Sequence, residues 1–335
     1  VSAAAATDSA RQLFPAGRMF LNRPFDYLAI GGGLSLALVA ALGLSGQLAG
    51  GSPAAAWIPA LVLASNSAHF AASTVRLYTK PGAFETWPFL TMGLPLATLA
   101  VLLLGLAWPD EIGWNLQALY LTWSPFHYAA QAFGLACMYH YRSGGTLGEV
   151  DRRLVFGTCM LPFLFAFLDA RESGLAWFLP PDLVGSVPLL RESLRATSLL
   201  VAALVFVAPV VLAARLYRRS GRGLPLISWL IVITNGMWWI AFRFYDAFVW
   251  ATVFHGLQYL AIVMIFHVKD QMGRPDNRSG PRVHALRFYA ASFALGYLLF
   301  YVWPFAFLLA GFPLSESMLL CAAVINIHHF IVDRY

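Results

Sequence analysis

The sequence predicts an all-α, polytopic integral membrane helix bundle, and three observations carry that prediction. The first is scarcity of charge. Of the 335 residues, 59% are apolar and 11% charged, whereas soluble chains carry about 25% charged residues. The second is that apolar stretches of about 20 residues, the length that crosses a bilayer, recur ten times. The third is that the basic residues fall on one side of those stretches.

The ten predicted spans run roughly 26–49, 54–77, 88–108, 113–141, 153–169, 193–216, 224–245, 247–268, 286–311 and 314–333. Glycine, proline or charge separates them, as in Gly50-Gly51-Ser52-Pro53, Lys80-Pro81-Gly82 and Gly311-Phe312-Pro313. With ten spans the two tails and alternate loops share a side. That side collects 18 of the 22 basic residues and leaves Arg171, Arg191, Arg195 and Arg243 on the other. Positive loops stay cytoplasmic, so both termini are expected in the cytoplasm. Residues 1–25 read as a juxtamembrane tail without the apolar core of a signal peptide, and 26–335 as a single transmembrane domain. Near 173–190, Phe178, Leu179, Pro180 and Pro181 suit a short re-entrant or interfacial segment.

The composition excludes several classes. A soluble surface needs roughly 25–35% charge, and 26 Phe, 11 Trp and 13 Tyr exclude a disordered chain. Cys137, Cys159 and Cys321 are odd in number and lie in apolar stretches, so they form no disulfide framework. The net charge of +6 reports topology, not nucleic-acid binding. No Walker motif and no glycine-rich dinucleotide fingerprint occurs. High Ala, Leu and Arg with two lysines fits a bacterial source, and hence an inner-membrane, multi-pass location.

The informative residues are those that hydrocarbon should reject, because ionisable groups within a membrane mark functional sites by default. There are eight histidines. His140, His267 and His284 sit at helix ends or in the basic link, where they can reach the headgroups. The other five lie inside spans. On a 3.6-residue period, Asn66, His69, Ser73 and Arg76 share a stripe, as do Tyr120, Ser124, His127 and Gln131. His255 faces with Gln258 and Tyr259; Asn326, His329 and Asp333 share a face, with His328 beside them. A fifth stripe holds Asn235, Trp239, Phe242 and Asp246, with Arg243 near Asp246 as an ion pair or proton relay.

Polar residues do glue membrane helices together, but glue does not need histidine on four helices. A metal site does, since imidazole is the commonest metal ligand and its second ring nitrogen donates to an oxygen. The candidate ligands are His69, His127, His255, His328, His329 and Asp333. The candidate orienting or pocket residues are Asn66, Gln131, Gln258, Asn326, Tyr120 and Tyr259. Counting residues inward from the nearest basic residue puts His69, His328, His329 and Asp333 in one layer and His127 and His255 in another. At 1.5 Å per residue the layers are about 10–13 Å apart, although helix tilt and a kink at Pro125 would narrow the gap. Imidazole with carboxylate suits a transition metal, iron first, with copper or zinc open. Haem, held by a pair such as His127 and His255, is the alternative cofactor. A site in the bilayer points to a lipid-soluble small molecule as substrate and to membrane lipids as partners.

The segments Asn66-Ser67-Ala68-His69-Phe70, Ser124-Pro125-Phe126-His127-Tyr128, Phe254-His255-Gly256 and Asn326-Ile327-His328-His329-Phe330 form a constellation. It resembles the integral-membrane polyhistidine non-haem iron oxygenases, most of all the bacterial membrane carotene-cleaving dioxygenases. That resemblance implies one iron held by four histidines from different helices, and oxygenation of a lipid-soluble substrate. The clustered HxxxH and HxxHH motifs of membrane desaturases are absent. Rival readings are a non-catalytic or haem- or pigment-binding subunit of a larger membrane complex, and a proton-coupled transporter.

Overall fold

The computed structural model describes residues 12–44, 57–170, 173–240 and 247–334. Arg243 and Asp246, expected as an ion pair or relay, lie outside the described residues, as do residues 1–11 of the tail. The described residues are helical, without a strand; one isolated parallel bridge joins Gln12 to Arg222.

Ten principal helices fall on the ten apolar stretches: α1 (Gly33–Leu44), α2 (Ala68–Tyr78), α3 (Leu94–Ala107), α4 (Trp114–Arg142), α5 (Glu149–Asp169), α6 (Pro188–Ser220), α7 (Leu226–Ile240), α8 (Ala247–Met272), α9 (Pro281–Tyr297) and α10 (Leu314–Val332). With the helical turns flanking some of them, five segments among the described residues are long and apolar enough to cross a membrane: Phe89–Ala107, Pro188–Ser220, Phe248–Met272, Pro281–Leu309 and Leu314–Val332. A sixth qualifies if Arg23–Ile30 and Gly33–Ala41, bent by 65°, count as one span. α7 is shorter, and α4 and α5, though long, are not among these segments. On α6, Leu199, Leu200, Val210 and Val211 each leave 60% or more of their surface exposed. A contiguous apolar face of that kind belongs against lipid.

The bend before α1 has a local cause. Gly32 has φ +80°, and a Cβ there would lie 2.4 Å from the Thr234 hydroxyl of α7, so glycine is required. The bend frees the Ile30 carbonyl, which accepts from Gln258 Nε2 of α8 at 2.7 Å. Trp238 Nε1 of α7 donates to Ser35 Oγ at 3.0 Å, pinning α1 from the other side.

Loops assigned to one side by their charge touch one another. Arg222 reaches the Ser143 carbonyl, Arg142 the Met19 carbonyl, and Arg274 the Thr79 carbonyl. At the other end Trp177 donates to Asn115, and the Gly174 amide to Thr122. Residues 173–190, expected to be re-entrant or interfacial, carry the short helices Leu175–Phe178 and Pro181–Ser186. Between the two ends α2 runs through the centre, packed by α8, α9 and α10. Its Ala68, Ala71 and Ala72 are fully buried, small residues that let membrane helices approach closely.

Candidate metal centre

Each of four helices delivers one histidine to the same place: His69 from α2, His127 from α4, His255 from α8 and His329 from α10. The approach to His69 is unusual. A π-helical turn, Leu63–Ser67, precedes α2, and its extra residue rotates the faces of the helix beyond it. Two glycines clamp this turn. A Cβ on Gly256 of α8 would lie 3.0 Å from Ser65 backbone atoms, and one on Gly296 of α9 would lie 2.6 Å from the Ser67 carbonyl oxygen. A side chain at Gly296 would force a shift and one at Gly256 would press on the Ser65 backbone, and the closeness of these glycines brings α8 within reach of α2.

The four rings form one cluster. His69 Nε2 is 3.0 Å from His329 Nε2, which is 3.4 Å from His127 Nε2. The His255 ring centroid lies 4.8 Å from that of His69 and 5.0 Å from that of His127. The ligand atoms of His69, His127 and His255 fall within 4.8 Å of one another, as do those of His127, His329 and Asp333. Two nitrogens bound to one ion at about 2.0–2.1 Å are separated by about 3.0 Å at right angles and about 3.4 Å at the tetrahedral angle. The spacing suits a shared ion.

The partners constrain the tautomers. His69 Nδ1 faces the Asn66 carbonyl at 3.2 Å, and a carbonyl only accepts, so Nδ1 carries the proton. His329 Nδ1 lies 2.9 Å from Ser73 Oγ, whose own hydrogen goes to the Phe70 carbonyl at 2.9 Å. Ser73 can therefore accept from His329 Nδ1; in that tautomer both Nε2 atoms present lone pairs to each other across 3.0 Å, and in the other His329 Nε2 donates to His69 Nε2. His255 adds to this: it is fully buried, and both ring nitrogens lack a hydrogen-bond partner. A buried polar atom without a partner costs about 1–3 kcal/mol. A cation among the rings would take one lone pair from each of His69, His127 and His255, so the donor set fits a metal ion.

At the rim, Asp333 Oδ2 lies 4.0 Å from His127 Nε2. Its other oxygen accepts from the Tyr259 hydroxyl at 2.6 Å. His69, His255 and His329 are fully buried, whereas Asp333 is exposed. The site is dry on the bundle side and open at the carboxylate.

No family model, curated protein or solved structure matches this chain. The site is therefore read from its own geometry.

The two-layer expectation does not hold. His127 lies fifteen residues from Arg142 and His329 five from Arg334, yet their Nε2 atoms are 3.4 Å apart. The helix ends are staggered: α4 runs about twelve residues, or roughly 18 Å, beyond the end of α10. Counting from the nearest basic residue measured that stagger, not depth.

The remaining candidates sort by face. His328 is half-buried on another side of α10, outside both ligand groups. Tyr120 packs its ring on Phe248, 5.9 Å away, and not on the histidines. Gln258 holds the Ile30 carbonyl, and Gln131 Nε2 makes two long contacts of 3.4 Å, to the His255 carbonyl and to Gln258 Oε1. Asn326 donates to the Ala322 carbonyl on its own helix. Asn66 serves through its backbone carbonyl, and its side-chain oxygen is buried without a partner. Sequence reasoning missed Tyr128, whose ring stacks on His255 at 4.1 Å while its hydroxyl meets Thr252 at 2.8 Å. Ser73 was visible on the His69 stripe, but its partner on α10 was not.

Proposed function

We propose that this chain is a ten-span bacterial inner-membrane protein, with both termini cytoplasmic, that holds a transition metal among His69, His127, His255, His329 and Asp333 and oxidises a lipid-soluble substrate. The observation that carries the metal is the convergence of four imidazoles from four helices, with the Nε2 atoms of His69 and His329 3.0 Å apart and those of His329 and His127 3.4 Å apart. Iron is favoured because His127, His329 and Asp333 make a two-histidine, one-carboxylate set beside two further imidazoles, and iron in such sets activates dioxygen. The resemblance to the membrane polyhistidine oxygenases supports the same choice of metal and chemistry.

The chain's own residues hold the ligands. The Asn66 carbonyl and Ser73 hydroxyl fix the rings of His69 and His329. Tyr259 fixes the carboxylate. Tyr128 and Phe330 rings cover His255 and His127 at 4.1 and 4.7 Å, which keeps water from the buried side. Haem is disfavoured: the His127 and His255 rings meet edge to face at 5.0 Å, and His69 and His329 occupy the space a macrocycle would need.

Elemental analysis with a visible spectrum of the purified protein tests this reading. About one iron per chain without a Soret band is the expected result. A Soret band would replace the non-haem reading, and absence of both metal and haem would remove it.

A further inference from the structure

Two open spaces meet at the rim of the histidine cluster. One is a cavity of about 280 Å³ walled by Arg76, Lys80, Trp87 and Arg334, with Tyr259 and Asp333. The other is a groove of about 320 Å³ between α4 and α8 that passes His127, Gly134, Leu135, Met138, Ile262 and Phe266. Arg76, Tyr259, Val263 and Asp333 line both.

Their chemistry is opposite. The cavity gathers three cations around one carboxylate, and Asp333 already accepts from Tyr259. Arg76 reaches Asp270 at 3.5 Å, but its Nε is buried without a partner. The Lys80 ammonium lies 4.9 Å from the Trp87 ring centroid, and partial burial and Arg76 hold its pKa below the ordinary lysine value. An added anion would relieve both. Positive-inside charge alone explains solvated loop residues, not a guanidinium nitrogen buried without a partner. The groove, by contrast, is apolar away from the rim, His127 and Gln131, and at Gly134 an added Cβ would meet nothing within 4 Å, so the space is open there.

We propose that the ligand of this site is an anionic amphiphile, with a carboxylate or phosphate head among Arg76, Lys80 and Arg334 and an aliphatic chain in the groove past His127. That this ligand is the substrate rests on the metal-site reading; the binding itself does not. A pure hydrocarbon would leave the three cations with only the Asp333 and Asp270 carboxylates as counterions.

The test uses the full-length protein in neutral detergent, with cis-parinaric acid and its methyl ester as fluorescent probes. The acid should bind at least tenfold tighter than the ester. Lys80→Gln combined with Arg76→Gln should bring the two affinities together, while Arg76→Lys keeps most of the preference. Gly134→Phe should weaken acid and ester alike. Competition by oleate or by lysophosphatidic acid assigns the head to carboxylate or phosphate. Equal binding of acid and ester, a preference that survives Lys80→Gln with Arg76→Gln, or competition by neither lipid overturns the proposal. Metal content is measured on the same samples. If the wild type holds no transition metal yet prefers the acid, the metal reading has failed and the binding proposal stands.

Discussion

Two buried polar knots in this bundle answer the same problem in opposite ways. Asp26 is fully buried, and each of its oxygens has a donor. One accepts from the Phe20 amide and, at 2.8 Å, from the Tyr139 hydroxyl; the other accepts from the Leu21 amide at 3.1 Å. That knot closes on itself and ties residues 20–21 to α4. The histidine cluster, held by four helices, leaves its inner nitrogens facing one another. A closed knot is complete as folded, and an open one is built for something added. Satisfied buried polar groups stabilise and specify a fold, whereas unsatisfied ones need a reason.

The strongest way to break this contrast is to remove one inner nitrogen. His329→Ala takes away the nitrogen that contacts both His69 and His127. Bound metal, measured by elemental analysis, is expected to fall from about one per chain to below a tenth. Asp26→Asn should leave metal content unchanged. If His329→Ala retained full metal, or Asp26→Asn lost it, the two knots would not differ in kind.

Stability should move in opposite directions at the two sites. Asp26→Ala strands the buried Tyr139 hydroxyl and two partly buried amides and is expected to cost about 3 kcal/mol. His255→Phe keeps a ring against Tyr128 while removing two unpartnered nitrogens. It should stabilise the chelator-treated protein by about 1–2 kcal/mol. Thermal unfolding in detergent, with and without chelator, reads both signs. A destabilised chelator-treated His255→Phe protein would mean that His255 is already satisfied.

Much of the open knot was legible in sequence, and almost none of the closed one. Histidine is out of place in hydrocarbon, so His69, His127, His255 and His329 drew attention at once, and helical periodicity gave their faces. Periodicity is a property of one helix, however. It grouped Tyr120 with His127, although seven residues along α4 the ring has moved to Phe248. It could not show that α4 outruns α10, and so produced two layers where there is one cluster. The π-turn before α2 and its clamp by Gly256 and Gly296 depend on contacts between distant helices. Asp26 drew no reading at all, because its donors are backbone amides and a tyrosine 113 residues away. The ten apolar stretches are all occupied by helices, but length and apolarity alone qualify five or six of them as crossings.

A smaller effect is expected one bond out from the metal ligands. Ser73 can accept from His329 Nδ1, and Ser73→Ala removes that acceptor without touching a ligand. Loss of such an orienting partner costs roughly 10- to 100-fold in metal affinity. Competition titration against a chelator of known strength measures it. Unchanged affinity would show that packing, and not the hydroxyl, orients the ring.

The finest comparison applies one chemical edit to both knots. Tyr139 donates to Asp26 at 2.8 Å and Tyr259 to Asp333 at 2.6 Å, so each Tyr→Phe change deletes a phenol-to-carboxylate bond and little else. At Asp26 two amide donors remain, and Tyr139→Phe should cost about 1 kcal/mol of stability with no change in metal affinity. At Asp333 no second hydrogen-bond donor is present among the described residues, only His127 Nε2 at 4.0 Å. Tyr259→Phe therefore frees the carboxylate to swing. The exposed rim makes the stability cost small, while metal affinity should fall about tenfold. Equal stability losses with equal metal affinities in the two variants would place Asp333 outside the ligand set and leave the four imidazoles to hold the ion alone.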